Sequence, residues 1–272
     1  MQITFLGTGT SQGVPVITCG CEVCQSIDFR DKRLRVSIHI AIEGKSFVID
    51  TGPDFRQQML RERIKNLDAV IFTHEHKDHT AGLDDVRAFN FLQKRDMPIY
   101  ARKQVLEQIK QEFAYAFKET KYPGIPQIAL NEIQNHPFEV AGITFTPIEV
   151  MHLHLPVFGF RIKDFTYITD VNFISEEEIE KIKGSKVVVV GALRKEKHLS
   201  HFSLSEAIEV LKKIAPEQAY ITHISHQMGL HREVEMELPA FVNLAYDGLV
   251  LQLDAVNPLP VSLQKTPVDL SN

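Results

Sequence analysis

Three imidazoles and the Asp78 carboxylate fall within six residues in His74-Glu75-His76-Lys77-Asp78-His79, one residue after the apolar run Ala69-Val70-Ile71-Phe72. Imidazole nitrogen and carboxylate oxygen are the donors that hold Zn, Mn or Fe, so the chemistry on offer is metal-assisted hydrolysis. Leu67 to Phe72 reads as a short buried strand, and the helical run after Gly82 begins too late for the histidines to form one helical face. They sit on a strand-to-helix loop, where His74 and His76 can aim at one cation while Asp78 and His79 reach a second. Two metals about 3.5 to 4 Å apart are the usual arrangement for phosphoester hydrolysis.

All three cysteines lie in Cys19-Gly20-Cys21-Glu22-Val23-Cys24. Three clustered thiols cannot pair off, and disulfides at this spacing would close strained loops, whereas three thiolates in one turn can face a single zinc. His226, three residues after His223 in Thr222-His223-Ile224-Ser225-His226-Gln227, supplies a fourth donor. One of these rings can then serve the catalytic pair while the other completes a closed, structural Cys3His zinc site.

His74 to His79 resembles the HxHxDH signature of the metallo-β-lactamase superfamily. That resemblance implies an α/β fold, the four-layer αβ/βα sandwich, with a dinuclear metal centre at one edge. It also implies three later ligands, each ending a strand. His152 follows Ile148-Glu149-Val150-Met151, with His154 a rival on the same side of an extended chain. Asp170 follows Phe165-Thr166-Tyr167-Ile168-Thr169 as the bridge between both metals, and His223 follows Gln218-Ala219-Tyr220-Ile221-Thr222. The implied sets are His74, His76, His152 and Asp170 around one ion, and Asp78, His79, Asp170 and His223 around the other. Asp50, in Ile49-Asp50-Thr51-Gly52, takes a supporting place behind the metal loop in the same resemblance.

The Gly-rich opening Phe5-Leu6-Gly7-Thr8-Gly9-Thr10-Ser11-Gln12-Gly13-Val14-Pro15, the cysteine cluster and the late Thr-His-Ile-Ser-His-Gln run resemble the PhnP family of phosphoribosyl cyclic phosphodiesterases. The resemblance implies hydrolysis of a small cyclic phosphodiester, such as phosphoribosyl 1,2-cyclic phosphate, by hydroxide formed on two divalent metals (Mn or Zn), beside one structural Zn. The catalytic residues it implies are Asp78 and His201, with His201, in Leu199-Ser200-His201-Phe202-Ser203, protonating the leaving alkoxide as general acid. His198 is a close rival for that role. An RNase Z-like tRNA 3′ endonuclease and a PqqB-like protein share parts of the pattern; a non-enzymatic metal-binding scaffold would be marked by lost ligands.

With 272 residues, 44% hydrophobic and 24% charged, the chain can bury a large core. One domain is expected over residues 1–254, followed by a tail, 255–272, that is loosely attached or makes an oligomer contact. No apolar run reaches membrane-spanning length and the N-terminus lacks a signal-like core, so no membrane association is expected, and clustered thiols suit a reducing cytoplasm. A net charge of −5 argues against stable nucleic-acid binding, which needs a basic surface. A small anionic phosphodiester held by metals is compatible with it, and a homodimer is common among proteins resembling this one.

The elements that must position these residues are strands near 2–6, 36–42, 46–50, 67–72, 98–100, 143–150, 158–162, 165–169, 186–190, 218–222 and 249–253. Helices are expected near 54–65, 82–93, 103–118, 175–183 and 203–214. Ser203-Leu204-Ser205-Glu206 is a capping box, which puts His201 just ahead of a helix.

Overall fold

Runs such as Phe47-Val48-Ile49 and Val187-Val188-Val189-Val190 have no polar face, and a strand of that kind needs cover on both sides. The computed structural model, which describes residues 1–118 and 124–253, supplies that cover. Phe47, Ile49, Val187 and Val189 belong to a core between two sheets. Val48 joins Phe55, Met59 and Val105 beneath helices on one outer face, and Val188 and Val190 join Ile179, Ala207 and Leu211 on the other. The layers therefore run helix, sheet, sheet, helix, as the resemblance implies. The expected tail, 255–272, lies outside the described residues.

In spatial order the first sheet is Val250–Gln252, Gln2–Gly7, Ser37–Ile42, Lys45–Ile49, Ala69–Ile71, Met97–Ala101 and Ile128–Glu132. The second is Phe173–Ile174, Ile143–His152, Leu155–Ile162, Phe165–Ile168, Val187–Gly191, Gln218–Thr222 and Val242–Leu244, with Phe138–Val140 pairing to Ile143–His152. Each sheet begins as antiparallel hairpins and continues as parallel strands. Parallel neighbours need crossovers. The helices Phe55–Arg61, Arg87–Gln93, Lys103–Glu112, Glu176–Ile182 and Leu204–Ile214 lie in those connections. The consequence for function is that the C-terminal ends of several parallel strands open onto one edge, the usual place for a site in such sheets.

Several boundaries differ from the sequence expectation. The helix expected over 103–118 ends at Glu112 and gives way to the 3-10 turn Ala114–Phe117, where Tyr115 donates to Asp84. The helix expected over 54–65 ends at Arg61, because the chain turns at Arg63 with a positive φ of 54°. The expected 82–93 helix is split into the 3-10 turn Leu83–Val86 and the helix Arg87–Gln93. The strands Ile128–Glu132 and Val242–Leu244 and the helix His231–Glu237 have short or weak periodicity and escape a reading of pattern alone. The capping box forms: Ser203 N donates to Glu206 Oε2 at 2.9 Å and Glu206 N donates to Ser203 Oγ at 3.4 Å.

Two glycines are required by close approach. A Cβ on Gly52 would lie 2.1 Å from the Asp78 carbonyl oxygen, so the turn after Asp50 runs directly against the short helix Lys77–Thr80. A Cβ on Gly191 would lie 1.8 Å from the Thr169 carbonyl oxygen, beside Asp170. Gly191→Ala is expected to lower stability by about 3 kcal/mol, because backbone must move to admit the methyl group. A urea titration checks this; an unchanged midpoint would contradict the packing described.

Candidate metal centre

Strand ends deliver the site residues one by one. Lys45–Ile49 leads to Asp50, Ala69–Ile71 to His74 and His76, Phe165–Ile168 to Asp170, and Gln218–Thr222 to His223, while Ile143–His152 ends on His152 itself. Asp78 and His79 do not sit on a loop as expected but in the short helix Lys77–Thr80 that His76 opens. Asp50 and His223 both take positive φ, 65° and 57°, which turns their side chains sharply off the strand axis. Such strain in non-glycine residues persists where surrounding structure enforces it, commonly at functional sites.

Behind the loop, Asp50 is fully buried and accepts three hydrogen bonds. Thr73 N donates to Oδ1 at 2.9 Å, Thr73 Oγ1 donates to Oδ2 at 2.8 Å, and His79 Nδ1 lies 2.7 Å from Oδ2. His74 Nδ1 lies 3.0 Å from the same Thr73 hydroxyl, whose proton is already committed to Asp50, so His74 is the donor. Similarly, His152 Nδ1 donates to the Ser200 carbonyl oxygen at 2.8 Å. In each ring Nδ1 is thus occupied by the protein and Nε2 is turned outward, the arrangement that metal-binding imidazoles need.

The outward atoms converge in groups whose members lie within 4.8 Å of one another: His74 with His76 and His152, His74 with His79 and Asp170, Asp78 with His79 and His223, and His152 with Asp170 and His201. His74 Nε2 and His76 Nδ1 are 3.0 Å apart. Asp170 is the centre of the assembly. Its Oδ2 lies 3.2 Å from His79 Nε2, and its Oδ1 lies 3.3 Å from His223 Nε2, 3.8 Å from His201 Nδ1 and 3.9 Å from His152 Nε2. His79 Nε2 and both ring nitrogens of His223 are buried without a hydrogen-bond partner. Buried polar atoms are rarely left unmatched, and a divalent cation satisfies the donor types and directions present. The residues therefore fit divalent metal.

The electrostatics point the same way. Burial alone would depress the His79 pKa, yet Asp78, Asp170 and Asp50 overcome it and hold the ring well above its ordinary value. Burial likewise disfavours ionised Asp170, but His223 and His79 hold its carboxyl well below the usual range. Burial, followed by His79, pushes His74 well below the ordinary imidazole value. His201 stacks on His223 with centroids 4.8 Å apart, lies 4.6 Å from His152, and is pushed down to about 3 by burial and then by His223.

The rival histidines separate. The strand Ile143–His152 ends at His152, and Leu153 reverses the chain with a φ of 58°, so His152 joins the cluster and His154 does not. His198 lies outside the grouped donors, with its ring 5.3 Å from that of His201. Thr73 and the Ser200 carbonyl, which orient His74 and His152, carried no recognisable signal in the sequence.

A second constellation stands apart from the first. The Sγ atoms of Cys19, Cys21 and Cys24 and a ring nitrogen of His226 lie within 4.8 Å of one another, with Cys19 Sγ and Cys21 Sγ each 3.3 Å from His226 Nδ1. Cys21 caps the short helix Glu22–Gln25 by accepting from Cys24 N. That backbone donor, then His226, brings the Cys21 thiol down to about 6. Two thiols converging on one nitrogen, with one thiol readily ionised, suit a closed zinc site.

Comparison with known proteins adds to this geometry. The family description "beta-lactamase superfamily domain" matches residues 45–224. An octanoyltransferase of Porphyromonas gingivalis is 40% identical over 257 residues, 93% of this chain but 52% of that protein. The chain spans about half the length of the curated relatives it matches. Among solved structures, a diphosphatase of the PhnP family superposes with a TM-score of 0.87 at 38% identity, covering 92% of this chain and 96% of the other. Zn2+-bound PqqB from Methylobacterium extorquens shares the fold, with a TM-score of 0.75 at 19% identity over 93% of this chain and 100% of the other.

Since the carboxylates hold a proton on His79 that a cation must displace, metal affinity at this centre is expected to rise with pH and binding to release protons. Calorimetry in two buffers of different ionisation heat measures the release, and identical heats would contradict it. Cys21→Ser is expected to remove one zinc per chain and to lower the thermal midpoint; unchanged metal content would exclude a metal among these thiols.

Proposed function

The chain belongs to the metallo-β-lactamase superfamily, on its PhnP-family branch, and we propose that it is a metal-dependent phosphodiesterase acting on a small anionic cyclic phosphodiester such as phosphoribosyl 1,2-cyclic phosphate. The observation that carries this reading is the place of Asp170, whose carboxylate lies 3.2 and 3.3 Å from His79 and His223 on one side and 3.9 Å from His152 on the other, within reach of imidazoles assigned to both ions. Two divalent cations, Mn or Zn, held by His74, His76, His152 and Asp170 and by Asp78, His79, Asp170 and His223, would supply an acidified water and offset phosphoryl charge. Cys19, Cys21, Cys24 and His226 would hold a structural zinc that ties the N-terminal loop to the turn after His223.

The chain's own groups do the rest. Asp50 fixes the His79 ring through its Nδ1. Thr73 fixes His74, and the Ser200 carbonyl fixes His152. His201, 3.8 Å from Asp170 Oδ1, is assigned the protonation of the leaving alkoxide. Burial favours its neutral form, and an anionic phosphoryl group brought beside it favours the protonated one.

A second reading, cleavage of a diphosphate linkage, is favoured by the 38% identity to a PhnP-family diphosphatase. The same donors would serve. A phosphate leaving group is already a weak base, so His201 would matter less there than with an alkoxide.

Turnover by the Mn- or Zn-loaded protein on ribose 1,2-cyclic phosphate 5-phosphate, a 2′,3′-cyclic nucleotide, a dinucleoside diphosphate and a precursor tRNA separates the readings. Preferential opening of the small cyclic diester is expected. Preference for the diphosphate would establish the second reading, and tRNA cleavage an RNase Z-like role. Silence on all four would favour a PqqB-like or non-enzymatic metal-binding protein. His201→Ala is expected to keep both catalytic metals while alkyl phosphodiester turnover falls about 10²-fold or more, with a smaller loss on aryl esters. Loss of a metal in this variant would make His201 a ligand instead of the acid.

A further inference from the structure

The loop that brings His201 to the centre is tied down by one side chain with no part in the chemistry so far described. Asn172 lies two residues after Asp170, and its backbone N donates to the Met151 carbonyl oxygen at 2.8 Å. Its side-chain Oδ1 accepts from Leu153 N at 2.7 Å, and its Nδ2 donates to the Leu199 carbonyl oxygen at 3.2 Å. One amide therefore joins three segments: the strand end after Asp170, the turn after His152 and the loop before His201.

Both polar atoms of the amide are used in opposite senses, one accepting and one donating, which neither a carboxylate nor a hydroxyl reproduces across the same span. Backbone contacts hold the neighbouring positions. Phe202 N donates to the Val171 carbonyl oxygen at 2.7 Å, and the Ser200 carbonyl oxygen accepts from His152 Nδ1 at 2.8 Å. Between these two anchors His201 stacks on His223, so its place relative to Asp170 depends on the path of residues 199–202.

We infer that Asn172 is a positioning residue for His201, its amide clamping the Leu199–Phe202 segment against the turn after His152. The inference rests on the reading of His201 as the group that serves the leaving oxygen. Asn172 touches none of the grouped metal-donor atoms itself, and the Ser200 carbonyl that orients His152 keeps its own hydrogen bond without it, so its removal should leave the metal ligands in place and act through His201.

The test uses Asn172→Ala, with the nearly isosteric Asn172→Leu as a second variant if the first does not fold, each also combined with His201→Ala. The substrates are a 2′,3′-cyclic nucleotide, which has an alkoxide leaving group, and bis(p-nitrophenyl) phosphate, which has an aryl one. Full metal content is expected, with turnover down about tenfold on the cyclic nucleotide and about twofold on the aryl ester. In the His201→Ala background, Asn172→Ala should add no further loss on the cyclic nucleotide, because residues acting as one unit are not additive. Independently of activity, amide hydrogen exchange in residues 199–202 of the metal-free variant should quicken about tenfold. Equal losses on both substrates, a full additional loss beside His201→Ala, or unchanged exchange would overturn the inference. If His201→Ala itself leaves the cyclic nucleotide untouched, the acid role fails, and the exchange measurement still decides the tether.

Discussion

Two carboxylates, Asp50 and Asp170, are buried at strand ends, and a buried charge persists only when donors or counter-charges surround it. The neighbourhood is organised around that requirement. Asp50 is met by the Thr73 backbone and hydroxyl and by His79, and Asp170 by the rings of His79 and His223 at close range. The imidazoles in turn have nitrogens that protein atoms do not satisfy. Acid and base crowd together here beyond what hydrogen bonding alone resolves, and divalent cations are the partners that balance such an arrangement.

Rigid strands make the crowding possible. The sandwich core fixes Lys45–Ile49, Ala69–Ile71, Phe165–Ile168 and Gln218–Thr222, so the residues that follow have little freedom in where they arrive. Gly52 and Gly191 admit the close backbone approaches this edge needs, and the left-handed turns at Asp50 and His223 direct side chains inward. Loop precision is thus inherited from sheet packing. The Cys19–His226 constellation joins the Gly-rich opening to the same edge, since His226 follows His223 by three residues.

Much of the candidate site was legible because its residue types are improbable anywhere else. His74, His76, Asp78 and His79 are crowded into six positions, whereas Asp170 and His223 each end an apolar run and were singled out by the family resemblance. His152 and His154 were harder to separate: alternation puts both on one side of an extended chain, and only the reversal at Leu153 divides them. Thr73, Ser200 and Asn172 act through a hydroxyl, a backbone carbonyl and an amide, whose partners lie far along the chain and leave no local pattern. In the fold, long apolar runs marked buried strands well. Helix ends such as Glu112 and Arg61 were set by tertiary packing and by left-handed turns, which periodicity does not encode.

Asp170 is proposed to serve two cations at once, being the carboxylate within reach of imidazoles of both sets. An anomalous difference map from a crystal of the Mn- or Zn-loaded protein tests it most directly. The account predicts two peaks about 3.5 to 4 Å apart, one on each side of the Asp170 carboxylate. A single peak, or a second peak out of reach of Asp170, would contradict it.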